Sequence, residues 1–96
     1  PEIIRLTREN GIRLILVQER TLLFPAAAAE PKALQEYKHA LADYLKAEDV
    51  TLIDFSYDPR LPAEYFTDVL HMNDVGKATF TRLLSDALMA LLQAEQ

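Results

Sequence analysis

The spacing of hydrophobic positions changes several times along this chain, and each change predicts an element. Ile3, Ile4 and Leu6 give an apolar side to a helix over Glu2 to Asn10. Gly11 then stands where a helix C-terminus favours a residue with positive φ. "IRLILV", Ile12 to Val17, is an apolar run between a glycine and polar residues, the pattern of a buried strand. "QERTLLFPAAAAEP" follows as a loop with room for a short turn of helix; Ala26 to Ala29 carry no clear period. Pro31 suits a first helical turn. From there to about Glu48, Leu34, Tyr37, Leu41, Tyr44 and Leu45 recur at spacings of three and four, one helical stripe. Tyr37 and Tyr44 are therefore expected in the core or at its edge, and His39, nearly opposite, in solvent. "VTLIDF", Val50 to Phe55, reads as a second strand, and "SYDPRLPAEY" as a loop with two prolines. Asn73 can cap a last helix that would bury Phe80, Leu84, Ala87, Leu88 and Leu91 on one face.

The order helix, strand, helix, strand, loop, helix implies an α/β fold with parallel strands and helical crossovers. Two strands make only a partial parallel sheet, since parallel strands need cover on both faces. Further strands would come from upstream in a longer protein or from a second copy of the chain. An exposed sheet edge invites such pairing, so a homodimer through that edge is an expectation. The chain opens without Met, on what looks like the middle or end of a helix, which reads as a piece of something longer. No repeat is present, and the four alanines are the only low-complexity tract.

Composition narrows the classes. The 96 residues suffice for one small domain, which buries roughly two-thirds of its unfolded surface. Half of them are hydrophobic and 26% charged, which is globular rather than disordered composition. A net charge of −5, from 15 acidic and 10 basic residues, offers no basic excess for phosphates and argues against nucleic acid as a partner. The absence of cysteine excludes disulfides and thiolate zinc sites without fixing a compartment. No segment approaches the ~18 apolar residues of a membrane span. The charged start "PEIIRLTREN" is not a signal peptide.

Chemistry concentrates in "YFTDVLHMNDVGKATFTRLL", Tyr65 to Leu84. Asp68 lies three residues before His71. A histidine acts as a general base when one ring nitrogen faces the reacting group and a carboxylate on the other fixes its tautomer. The position, after the second strand and before the last helix, is where α/β proteins place their sites. The plainer reading is a turn begun by Asp68 with a surface histidine. Asn73 is a helix cap first and a supporting residue of the loop second. Gly76 in the first helical turn would let that helix approach the sheet closely. Asp54, Asp58, Asp68, Asp74 and His71 could instead bind magnesium or calcium. Their spacing matches no EF-hand, and solvated loop acids are commoner. Asp54 at a strand end is similar to the phosphoacceptor of receiver domains, whose other residues cannot be placed here.

The Tyr65–Leu84 stretch also resembles the last conserved block of the SGNH (GDSL-type) hydrolases. In that family an Asp and a His three apart precede the C-terminal helix, with a polar residue two after the His and a Gly shortly beyond. Asp68, His71, Asn73 and Gly76 occupy those positions. The aromatic before the Asp and the "F-T-x-x-L" of the helix look like a branch acting on cell-surface polymers, including alginate O-acetylation proteins. "NGIRLILV" and "VTLIDFS" fit the same half-domain in order. The resemblance implies that residues 1–96 are a single α/β segment, a flavodoxin-like three-layer half-domain at the C-terminal end of a larger SGNH-like domain. It implies an esterase or O-acyltransferase acting on an ester or carbohydrate substrate, with no cofactor and no metal. It also implies an extracytoplasmic location, periplasmic or at the cell surface. His71 would be the base and Asp68 its orienting acid.

The pattern departs from the family at the nucleophile. No Gly-Asp-Ser stretch follows the first strand, and the oxyanion-hole Gly and Asn are missing. The only serines are Ser56, after a different strand and without the family's glycine, and Ser85 in the last helix. The resemblance therefore implies a serine outside this chain. The contrasting expectation is a non-catalytic α/β interaction or structural domain in which Asp68 and His71 are idle.

Overall fold

The structure, a computed structural model, describes Glu2 to Glu95. It is an α/β arrangement in the order α1 (Glu2–Glu9), β1 (Ile15–Gln18), α2 (Lys32–Ala47), β2 (Thr51–Asp54) and α3 (Asp74–Ala94). Single 3-10 turns cover Ala27–Ala29 and Ala63–Tyr65. β1 and β2 pair in parallel, Ile15 with Thr51 through Gln18 with Asp54, and α2 is the crossover between them. The Phe55 N–H extends the ladder one step to the Gln18 carbonyl at 2.8 Å.

Local chemistry sets the helix ends. Gly11 has φ +67°. Ile12 N–H reaches the Thr7 carbonyl at 2.8 Å and Gly11 N–H the Arg8 carbonyl at 3.2 Å, the paired bonds of a Schellman motif. α2 ends the same way, with Val50 N–H on Leu45 at 2.8 Å and Asp49 N–H on Lys46 at 3.1 Å. There the positive φ, 57°, falls on Asp49, a residue type that tolerates this region better than most. Pro31 is the N-cap of α2 rather than part of its first turn, with ψ 146°.

Two small clusters replace one core. Ile4, Leu45 and Val50 pack with Leu14 and Leu41 where α1 and α2 meet the start of the strands. Phe55, Leu61 and Leu83 form the second, between β2, its following loop and α3. Leu61 is fully buried, and the Phe55 and Phe80 rings meet edge to face at 5.2 Å and 78°. The radius of gyration is 15.2 Å, against about 12.5 Å for a compact domain of this length. The accessible surface is 6921 Å², against about 5,600 Å² by the usual scaling with mass. Among the described residues, no helix is long and apolar enough to cross a membrane.

Several expectations change. The strand predicted from Ile12 begins at Ile15, and Leu16 and Val17 are 36% and 37% exposed. Among the described residues the sheet is β1 and β2 alone, which leaves these side chains partly open. Tyr37 is 63% exposed: α2 turns Leu45 into the core, with Leu34 and Leu41 half-buried, and Tyr37 lies at the outer edge of that stripe. On α3 the fully buried residues are Gly76 and Leu83. Phe80, Leu84 and Ala87 lie half-buried against the second cluster, and Leu88 and Leu91 are half-exposed.

Gly76 makes its close approach to the turn before α3, not to the sheet. A Cβ there would sit 2.2 Å from the Tyr65 carbonyl oxygen and 3.0 Å from the Cβ atoms of Met72 and Tyr65. Backbone cannot yield as a side-chain tip can. Gly76→Ala is expected to destabilise the fold by about 2–3 kcal/mol in urea unfolding. Gly11→Ala, with no heavy atom within 4 Å of its new Cβ, should cost only the backbone penalty of about 1–2 kcal/mol.

Candidate functional site

The segment from Tyr65 to Asn73 is a tight hairpin rather than an open loop. Phe66 and Met72 form an antiparallel bridge. Thr67 N–H donates to the His71 carbonyl and Asn73 N–H to the Tyr65 carbonyl, both at 2.8 Å. The tip is Asp68-Val69-Leu70. Asp68 Oδ1 accepts the backbone N–H groups of Leu70 and His71, each at 2.8 Å, an Asx-type turn. The Val69 carbonyl accepts the N–H of Leu22 at 2.7 Å, so the loop after β1 is tied to this tip.

The same turn brings the two side chains together. His71 Nδ1 lies 2.9 Å from Asp68 Oδ1 and 3.0 Å from Oδ2. An ionised carboxylate only accepts, so the bond assigns the proton to Nδ1 and leaves the Nε2 lone pair free in the neutral ring. The Leu70 N–H first, and then the His71 ring, hold the Asp68 carboxyl below the usual carboxylate range. The pair is open to water, with side-chain exposures of 73% for His71 and 58% for Asp68. His71 lines a groove of about 430 Å³ whose other walls include Lys77 and Phe80 of α3 and Glu19 and Arg20 after β1.

Asn73 links the hairpin to α3. Its Oδ1 accepts from Gly76 N–H at 2.9 Å, and its Nδ2 donates to the Glu64 carbonyl at 2.8 Å. One side chain thus caps α3 and ties it to the 3-10 turn at Ala63–Tyr65.

The remaining candidates lie elsewhere. Ser56 donates from its backbone N–H and its hydroxyl to Asp54. It lines a separate recess of about 330 Å³ with Tyr57, Lys38 and His39. Ser85 is exposed on α3, as is His39 on α2. The acids weighed as metal ligands bind different partners: Asp54 takes Ser56, Asp58 takes Arg60 at 2.6 Å, and Asp68 takes His71. Among the described residues no three His, Asp or Glu side chains converge where a metal ion could sit.

Two features escaped the sequence. Glu30 is 5% exposed, bound by Lys38 Nζ at 2.6 Å and by the Tyr57 hydroxyl. Lys38 and then Tyr57 hold its carboxyl below the ordinary range, while burial and then Glu30 push the Tyr57 phenol up to about 12. The only local hint was an acid placed before a proline and a helix. The second is the placing of Arg20 and Lys77 in the His71 groove, which residues 57 positions apart do not announce. No protein-family model, curated protein or solved structure matches this chain.

Asn73→Ala is expected to lower stability by about 1–2 kcal/mol in urea unfolding. Asn73→Ser, which keeps an acceptor for the cap but cannot reach Glu64, should recover only part of that. For Asp68, the folded value lies below the unfolded one of about 3.9. Its stabilisation is therefore complete above that pH and is lost as pH falls through the folded value. A carbon-detected NMR titration should place its midpoint below about 3.9, and His71→Ala should raise it only part of the way, because the Leu70 N–H remains. A midpoint unmoved by His71→Ala would remove the imidazole from the causes.

Proposed function

We propose that this chain is the C-terminal segment of an SGNH-like esterase or O-acyltransferase acting on an ester, with a carbohydrate as the expected acceptor or carrier. The observation that carries this reading is the bond from His71 Nδ1 to both Asp68 oxygens, with the ring lining a groove. In the proposed reaction Asp68 orients the imidazole and stabilises its protonated form. His71 removes the proton from a serine hydroxyl as that oxygen attacks the ester carbonyl, then returns it to the departing alkoxide. In this reading the serine lies outside residues 1–96, which agrees with Ser56 lining another recess and Ser85 facing solvent. The α/β order, with its parallel strands and crossover helix, is compatible with a half-domain of that class.

A second reading is favoured by the edges of β1 and β2 that stay unpaired among the described residues and by the exposure of the Asp68–His71 pair. In it the hairpin is structural, and the chain works as an α/β interaction domain that pairs with a second copy through a strand edge.

The two readings diverge under a fluorophosphonate probe. In the native full-length product, the first expects labelling of a serine preceding this segment. It also expects a loss of labelling rate of order 10²–10⁴ in His71→Ala, with Asp68→Asn in the same direction. Labelling indifferent to His71→Ala, with the variant folded, would sink the catalytic reading and leave the second.

A further inference from the structure

We propose that the groove beside His71 holds an oxyanion-binding subsite formed by Arg20 and Lys77, so that the ligand of this site carries a negative charge. The inference deepens the esterase reading by giving its substrate a chemical class. The binding it predicts nevertheless needs no turnover. Arg20, Lys77 and His71 line one groove. Arg20 Nε is buried and has no hydrogen-bond partner among the described residues. A buried donor left unpaired is costly, and a charged one more so, unless something supplies the acceptor.

The lack of a partner is not for want of acids, which number 15 against 10 bases. Arg8, Arg13, Lys38 and Arg60 all find carboxylates. Arg20, Lys46, Lys77 and Arg82 have no ion pair among the described residues; Arg20 and Lys77 are the two of them that share this groove.

The surroundings suit an anion. Leu70, Met72 and Phe80 supply apolar wall, which lowers the local dielectric and strengthens a charge contact. Glu19 also lines the groove, so its wall carries two cations against one anion; the Asp58 carboxylate, whose own bonds go to Arg60, lies within reach of the Arg20 charge from outside that wall. Arg20 comes directly after Glu19 at the C-terminal end of β1, the end at which α/β sheets receive ligands. The Leu22–Val69 bond at 2.7 Å holds its loop to the His71 hairpin. A guanidinium there presents parallel donors to two oxygens of a carboxylate, sulfate or phosphate, and an ammonium adds a point charge.

The test is a ¹H–¹⁵N NMR titration of the 96-residue chain with sodium acetate and, separately, sodium sulfate, at constant ionic strength set by chloride. Saturable shifts are expected at Arg20, Leu22, His71 and Lys77, with a Kd on the order of millimolar. A preference for acetate would assign a carboxylate ligand, and a preference for sulfate a sulfate or phosphate ester. Arg20→Gln should weaken binding by ~10-fold or more and Lys77→Gln by less, while Lys46→Gln and Arg82→Gln leave it unchanged. Lys77 is exposed, so its variant keeps the test valid if Arg20→Gln fails to fold. Absence of saturable shifts with both anions would overturn the subsite, as would equal shifts around Lys46 and Arg82 or an affinity indifferent to Lys77→Gln. None of those results bears on serine labelling, and a failure of labelling leaves anion binding standing.

Discussion

The Tyr65 carbonyl oxygen presses against the first turn of α3 at a point where only a glycine fits. Much of the molecule follows from that contact. Gly76 admits the carbonyl, and the same carbonyl accepts Asn73 N–H at 2.8 Å. The Asn73 side chain bonds both Gly76 N–H and the Glu64 carbonyl. These bonds fix the angle at which α3 leaves the hairpin. That angle brings Phe80, Leu83 and Leu84 onto Phe55 and Leu61, so the second hydrophobic cluster depends on it. The orientation of the His71 hairpin depends on it too, because the strand-like pair Phe66 and Met72 lies inside the same closure.

Away from that junction the fold is thinly covered. Among the described residues six hydrophobic side chains are buried, in two separate groups. Among the described residues each strand has one neighbour and one free edge. Stabilisation by burial scales with apolar area removed from water, at about 25 cal/mol per Å². Every apolar residue left on an open face therefore represents stabilisation not realised in the isolated chain. The buried Glu30, paired to Lys38 and Tyr57, adds a polar tie between the loop before α2, α2 itself and the loop after β2. Its net stabilisation is small, because desolvation offsets much of the attraction in a buried pair.

The Asp68–His71 pair combines a robust local geometry with a weak electrostatic setting. The Asx-type turn holds the carboxylate through backbone N–H bonds, independent of any distant residue. Solvent exposure screens the ion-pair component, as for any surface pair. A working general base needs a covered partner group, and Phe80 and Met72 provide only one apolar wall. The proposed reaction therefore depends on a further surface closing over the groove, as the proposed anion subsite does not.

What could be read from the chain alone was what neighbours in sequence decide. The Gly11 stop, the Asn73 cap, the helical period of α2 and the contact of Asp68 with His71 all depend on residues within a few positions, where helical period and turn chemistry act directly. So did the parallel pairing of the two strands, since a helix between two apolar runs leaves few alternatives. Tertiary structure decided the rest. Gly76 meets a carbonyl eleven positions earlier instead of the sheet. Tyr37 stays in solvent although it shares its helical stripe with the buried Leu45. Glu30 is buried through Tyr57, and Arg20 stands beside His71 across a bond from Leu22 to Val69. Such contacts join segments whose order in the sequence carries no period to betray them. They exist only once the packed backbone brings the segments within hydrogen-bonding distance.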